Sequence, residues 1–126
     1  MTATLTFVTP PPGFAPHVDF SLTEIEGAIG LFSLQAAGAP ELRLFVLDAS
    51  TYLPDYHPEI SDEQAASLGL TESEQALVLV VANPGTDGST TTNLMAPIVI
   101  NGSTGACAQF ILDNQEWPLR AELARA

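Results

Sequence analysis

Ten prolines and nine glycines are spread through this chain of 126 residues, and they cut it into short apolar segments. Proline fixes φ and donates no backbone hydrogen bond, so long helices are excluded wherever it recurs. Short apolar runs between turn formers are the pattern of an all-β domain. Val18–Thr23 alternates as a half-buried strand must, with Val18, Phe20 and Leu22 on one side and Asp19, Ser21 and Thr23 on the other. Leu5–Val8 and Gly30–Gln35 read as further strands. Leu42–Leu47 and Leu77–Ala82 are nearly continuous apolar runs, which predicts strands covered on both faces. Thr91–Ile100 and Ala106–Leu112 flank Asn101-Gly102-Ser103-Thr104-Gly105. That is the best hairpin in the chain, because Asn and Gly tolerate the positive φ of tight turns.

One short helix is predicted. Ser61 stands as its N-cap, Gln64 lies at capping-box spacing, and Asp62 and Glu63 fall in the first turn, where the helix dipole favours negative charge. Gly69 ends it as a left-handed C′ residue. So short a helix needs packing, through Ala65, Ala66 and Leu68, to persist. Hydrophobic residues make up 46% of the chain, enough to build a core, and neither a linker nor a repeat divides it. The expected architecture is one domain over residues 1–126, a small, partly open β-barrel of about seven strands with one short helix.

Fifteen carboxylates face three cations, Arg43, Arg120 and Arg125, for a formal charge of −12. Ten of those carboxylates and no cation lie between Arg43 and Arg120. Such a chain repels nucleic acid and anionic membrane, lacking the side chains that displace phosphate counterions. It suits a basic protein partner. The apolar runs Ala76–Ala82 and Met95–Ile100 are too short to span a bilayer. Met1-Thr2-Ala3-Thr4 carries no basic residue, unlike a secretory signal, and the single Cys107 suits a reducing cytoplasm.

The material for catalysis is thin. His17 and His57 are the only histidines, and His57 sits in Asp55-Tyr56-His57-Pro58-Glu59, where alternate side chains of an extended segment share a face. No Cys or His pair stands at metal-ligand spacing, and no Gly-x-Ser-x-Gly elbow or phosphate-cradling glycine loop is present. No cofactor or metal is therefore expected. Cys107, between Ala106 and Ala108, reads as a small buried thiol rather than a nucleophile. An enzyme or small-ligand barrel using His57 with Asp55 stays as a minority reading. An acidic polyanion mimic that blocks some other basic protein is another.

Several segments resemble the FliW family of flagellar assembly factors. Thr92-Asn93-Leu94-Met95-Ala96-Pro97-Ile98-Val99-Ile100-Asn101 is similar to that family's Asn-Leu-x-Ala-Pro-Ile-x-x-Asn signature. Leu53-Pro54-Asp55-Tyr56, an acidic helix ending in Leu68-Gly69-Leu70, Pro12-Gly13-Phe14, Ile111-Leu112-Asp113 and Leu119-Arg120 resemble further elements in the family order. The resemblance implies a non-enzymatic cytoplasmic β-barrel that binds flagellin before export. When free, such a protein binds CsrA, an RNA-binding translational regulator, and relieves its repression of flagellin synthesis. It implies a monomer when free. The stretch before Pro12-Gly13-Phe14 is shorter than usual for the family, which implies an open strand edge or a changed binding face.

The candidate partner-binding residues fall in three groups. Asp55 and Tyr56 sit in a proline-bounded loop, where an aromatic can anchor an interface or fold over the core. Glu59, Glu63 and Glu72 belong to the acidic helix region, a solvated face or a contact for the basic regulator. Asn93, Leu94, Met95, Ala96, Pro97 and Asn101 make up the signature: the two asparagines bond turn backbone or a partner, and Pro97 suggests an edge or a bulge, which makes Leu94–Ile98 a candidate edge for strand addition. On that reading an arginine at Ala96 impairs binding and leaves the melting temperature nearly unchanged.

Overall fold

The computed structural model describes residues 2–9, 14, 16–27, 30–53, 56, 58, 60–71, 76–84, 90–112 and 121–122. Its elements are β1 (Thr2–Phe7), β2 (Asp19–Glu24), β3 (Leu31–Ala36), β4 (Ala39–Asp48), α1 (Ala49–Tyr52), α2 (Asp62–Ser67), β5 (Ala76–Pro84), β6 (Thr90–Thr92), β7 (Ile98–Asn101), β8 (Ala106–Gln109) and β9 (Ala121–Glu122). Seven strands run in the order β4-β3-β2-β1-β8-β7-β5, and pairing of β4 with β5 closes the ring. The all-β barrel of seven strands is thus present, closed where the sequence left an opening. β6 and β9 extend from the far end of β5. β1 pairs antiparallel with β2 and parallel with β8, so both its edges are used and the edge expected near the amino terminus is filled.

β5 makes closure possible. Ala76–Leu79 pairs with β7, Leu79–Ala82 with β4, and Ala82–Pro84 with β6. Its alternation sends Leu79 into the barrel and Val80 and Ala82 outward. The interior is filled by side chains: Phe7, Phe20, Leu34, Val46, Ile98 and Cys107 are each at most 2% exposed. The Phe20 ring meets Phe7 edge-on at 5.1 Å and Phe14 at 5.9 Å, which gives the Phe of Pro12-Gly13-Phe14 its place against the core.

Outward-facing Leu47, Val80 and Ala82 form a second cluster with Ala49, Tyr56 and Leu94, and Val99 and Ala108 form a third with Leu68. α1, Leu53, Tyr56 and the stretch Ile60–Leu70, called here the crossing segment, therefore lie on the outer faces of β4, β5, β7 and β8. That is the physical reason for the unbroken apolar runs of β4 and β5: one side chain in two packs inside, and the next packs under the crossing segment. Each such burial contributes about 1.5–3 kcal/mol.

The capping of α2 follows the sequence. Ser61 Oγ accepts from Gln64 N–H at 3.1 Å, and Gln64 Oε1 accepts from Ser61 N–H at 3.0 Å. At the other end Gly69 takes φ +70, with Gly69 N–H donating to Ala66 O and Leu70 N–H to Ala65 O. These two bonds are a Schellman closure. The helix packs less than expected, since Ala66 is exposed and only Leu68, its C-cap, is fully buried.

A second helix, α1, was not foreseen. The Asp48 carboxylate caps it, accepting from Ser50 N–H at 3.1 Å, Ser50 Oγ at 2.9 Å and Thr51 Oγ1 at 3.0 Å. A single turn of helix carries no apolar period to detect.

Thr91–Ile100 is not one strand. β6 stops at Thr92, the chain bends through Leu94–Ala96, and β7 begins after Pro97. Proline lacks the N–H that a continuous ladder there would need. The β7–β8 hairpin is as expected, but its positive φ falls on Gly105, at +82, and not on Asn101.

Cys107 is fully buried, and burial pushes its thiol up to about 12. The folded protein holds that proton while the unfolded chain loses it near the ordinary value of 9.0. This contribution to stability is complete below pH 9 and is lost as pH rises through 12. Cys107→Ser is expected to remove this alkaline loss in denaturation curves, and a thiol reagent at pH 8 is expected to label the wild-type protein only after unfolding.

Candidate functional site

The signature segment lies inside the fold. Leu94, Ala96, Pro97 and Ile98 are buried, and Met95 is half-buried. Their backbone groups are occupied: Leu94 O accepts from Tyr56 Oη at 2.5 Å, Met95 O from Leu112 N–H, Ala96 O from Gln109 Nε2 at 3.0 Å, and Pro97 O from Phe110 N–H. Leu94–Ile98 is therefore not a free edge for strand addition. The bend that looked like an edge is a place where two other segments dock.

Both asparagines bond backbone. Asn93 Oδ1 accepts from Met95 N–H at 3.0 Å and holds the bend. Asn101, 2% exposed, accepts from Ser103 N–H through Oδ1 and donates through Nδ2 to Leu68 O at 2.9 Å. It ties the end of α2 to the β7–β8 turn across 33 positions of sequence. Tyr56 takes the second of its two roles: its ring is 8% exposed and packs with Val80 and Leu94, and burial raises its phenol well above the ordinary value.

Glu63 is exposed on α2. Asp55, His57, Glu59 and Glu72 lie outside the described residues. Among the described residues no group of three His, Cys, Asp or Glu side chains stands where it could hold a metal ion, and no helix is long and apolar enough to cross a membrane.

What the sequence did not reveal is a concave surface outside the barrel. α2 and the outer faces of β5 and β7 enclose a groove of about 670 Å³, lined by Ile60, Ala66, Leu70, Ala76, Val78 and Val99, with Asp62 on its wall. A second recess, of about 300 Å³, lies beside α1; it shares Tyr56, Ala76 and Val78 with the groove and is also lined by Leu53, Leu77 and Asp48. Leu77 is 55% exposed there. The apolar run of β5 signalled that something lies over its outer face. It did not signal the groove beside α2.

A crystal structure of the flagellar assembly factor FliW superposes on this fold with a TM-score of 0.89 at 27% identity, covering 98% of this chain and 86% of the other. Residues 1–123 match the family described as FliW protein. The chain belongs to the FliW family. A flagellar assembly factor FliW from Geobacillus kaustophilus is 35% identical over 115 residues, covering 89% of this chain and 78% of that protein. One from Syntrophomonas wolfei is 31% identical over 110 residues, 86% and 70% of the two chains. Within this FliW-family fold the Asn-Leu-x-Ala-Pro-Ile-x-x-Asn signature is the structural junction at which the crossing segment, the β6–β7 bend and the residues after β8 meet.

Proposed function

We propose that this FliW-family protein is a cytoplasmic flagellar assembly factor that works by binding other proteins. It holds flagellin before export. Once free, it binds a CsrA-type RNA-binding regulator and relieves repression of flagellin synthesis. The observation that carries the reading is family membership over residues 1–123. The charge supports it: an RNA-binding regulator is basic where it meets RNA, and a surface of net charge −12 steers it and repels the competing RNA. Catalysis through His57 and Asp55 is not needed for either role.

The two partners should respond differently to salt and charge. Flagellin bound through apolar surface loses little affinity as salt rises, whereas the regulator, drawn by charge, loses much. Purified protein on a column is expected to retain flagellin and the regulator separately. Reversing Glu63 and Glu72 together to lysine is expected to weaken the regulator complex about tenfold or more and the flagellin complex about twofold or less. Equal losses would contradict the division of surfaces. Retention of neither partner by the wild-type protein would contradict the function itself.

A further inference from the structure

We propose that Asn101 is a site of covalent modification in this protein: when the end of α2 comes away from the barrel, the Asn101 side-chain amide is hydrolysed to a carboxylate by way of a cyclic imide formed with Gly102. Neither partner proposed above is needed for it.

The sequence supplies the chemistry. The Gly102 backbone nitrogen gives up its proton to solvent base and attacks Asn101 Cγ. The bond from Cγ to Nδ2 breaks, ammonia leaves, and a succinimide ring closes. One water then opens the ring. Attack at the side-chain carbonyl gives aspartate; attack at the backbone carbonyl gives isoaspartate, in which the main chain runs through the former side chain. Glycine has no Cβ to obstruct the approach. Of the four asparagines only Asn101 precedes a glycine. Asn83 precedes Pro84, whose nitrogen carries no proton, and Asn93 and Asn114 precede Leu94 and Gln115, whose side chains crowd the attack.

The fold holds this reaction back through one contact. Gly102 and Ser103 are exposed, but Asn101 is 2% exposed. Its Nδ2, the group that must leave, donates to Leu68 O at 2.9 Å, and its Oδ1 accepts from Ser103 N–H at 2.9 Å. Expelling ammonia breaks the bond to Leu68 and needs solvent access that a buried amide lacks. The element on the other side of that bond is lightly held. α2 is six residues long, buries none of them fully, and is anchored by its C-cap Leu68. Its opening therefore costs less than opening the barrel, and it uncovers the amide beside a turn already in solvent. The product does not close again as before. Aspartate has no donor for Leu68 O, and isoaspartate also lengthens the main chain at the β7 residue that pairs with Ala76. Either way α2, whose Ala65 and Ala66 line the groove, loses its tie to the barrel.

The test incubates the full chain at pH 8 in buffer and, separately, in guanidinium chloride. Samples are digested with chymotrypsin, and the peptide carrying residue 101 is followed by mass spectrometry for amide loss and isoaspartate. In denaturant the amide is expected to be lost at Asn101 while Asn93 keeps its own. Gly102→Ala is expected to slow that loss about tenfold or more, in a comparison that requires no fold. In buffer the wild type is expected to react about tenfold or more slower than in denaturant. Ser61→Ala removes the N-cap of α2 without touching residue 101, and it is expected to speed the reaction in buffer about fivefold. Asp48→Ala removes the cap of α1 instead, and it is expected to change the rate in buffer about twofold or less. The proposal is overturned if Asn101 keeps its amide in denaturant, if Gly102→Ala reacts there like wild type, if buffer and denaturant give one rate, if Ser61→Ala reacts in buffer like wild type, or if Asp48→Ala reacts as fast as Ser61→Ala. That last result would mean that the whole barrel must open, and not α2 alone.

Discussion

Ala96→Arg is expected to destabilise the protein by about 4 kcal/mol, the cost of an overpacked core and an unpaired buried charge together. Ala96 is 9% exposed, and its neighbours Leu94 and Pro97 are buried as well. Its carbonyl takes a hydrogen bond from Gln109 Nε2 at 3.0 Å, and the flanking carbonyls of Met95 and Pro97 hold the backbone of Leu112 and Phe110. An arginine there must either push the bend away from these partners or bury its guanidinium beside the buried Leu94 and Pro97. Either route unpicks the junction between β6, β7 and the chain after β8. Thermal and denaturant unfolding are the readouts. A melting temperature close to wild type would show that the side chain escapes to solvent and that the bend is a surface after all. Ala96→Ser, which adds one small polar atom, is expected to cost about 1–2 kcal/mol, so the series separates size from charge.

Asn101→Ala is expected to cost about 3 kcal/mol. The amide makes two bonds that no other group can replace: Nδ2 donates to Leu68 O, and Oδ1 accepts from Ser103 N–H. Alanine leaves the Leu68 carbonyl without its donor at a site where Leu68 is 3% and Asn101 2% exposed. Because this bond fixes the end of α2 against the barrel, backbone amides of α2 are expected to exchange faster with solvent in the variant, beyond the global loss. Asn101→Asp tests the donor specifically. Burial raises the folded carboxyl above its unfolded value of about 3.9, and only its protonated form can donate to Leu68 O. Its stabilising form is therefore complete below that value and is lost as pH rises through the folded one. Relative to wild type, Asn101→Asp is expected to be closer in stability at pH 4 than at pH 7. A deficit independent of pH would mean that the lost donor is not the cause.

The parts of the fold legible in the sequence were those set by local physics. The Ser61 capping box, the Gly69 end of α2, the alternation of β2 and the β7–β8 hairpin depend on residues within a few positions of one another. The double burial of β4 and β5 was legible as an apolar run, but not the identity of what covers their outer faces, because that contact joins the crossing segment to strands far away in the chain. Pro97 was left open between an edge and a bulge for the same reason. A proline in a strand pattern marks an edge or a bend, and only the docking of Tyr56, Gln109, Phe110 and Leu112 decides between them. For the site, Tyr56 and the two asparagines were singled out by type and position, and their bonds are to this protein's own backbone. The groove beside α2 was invisible, since it is lined by residues of α2, β5 and β7 and of the stretches between them, none of them unusual alone.

The most direct test of the account is a release experiment. A CsrA-type regulator is bound to labelled RNA from a flagellin message, and the protein is titrated in, with and without prior saturation by flagellin. The account predicts that the free protein releases the RNA and that the flagellin-saturated protein does not. RNA that stays bound at saturating protein, or release that flagellin leaves untouched, would contradict it.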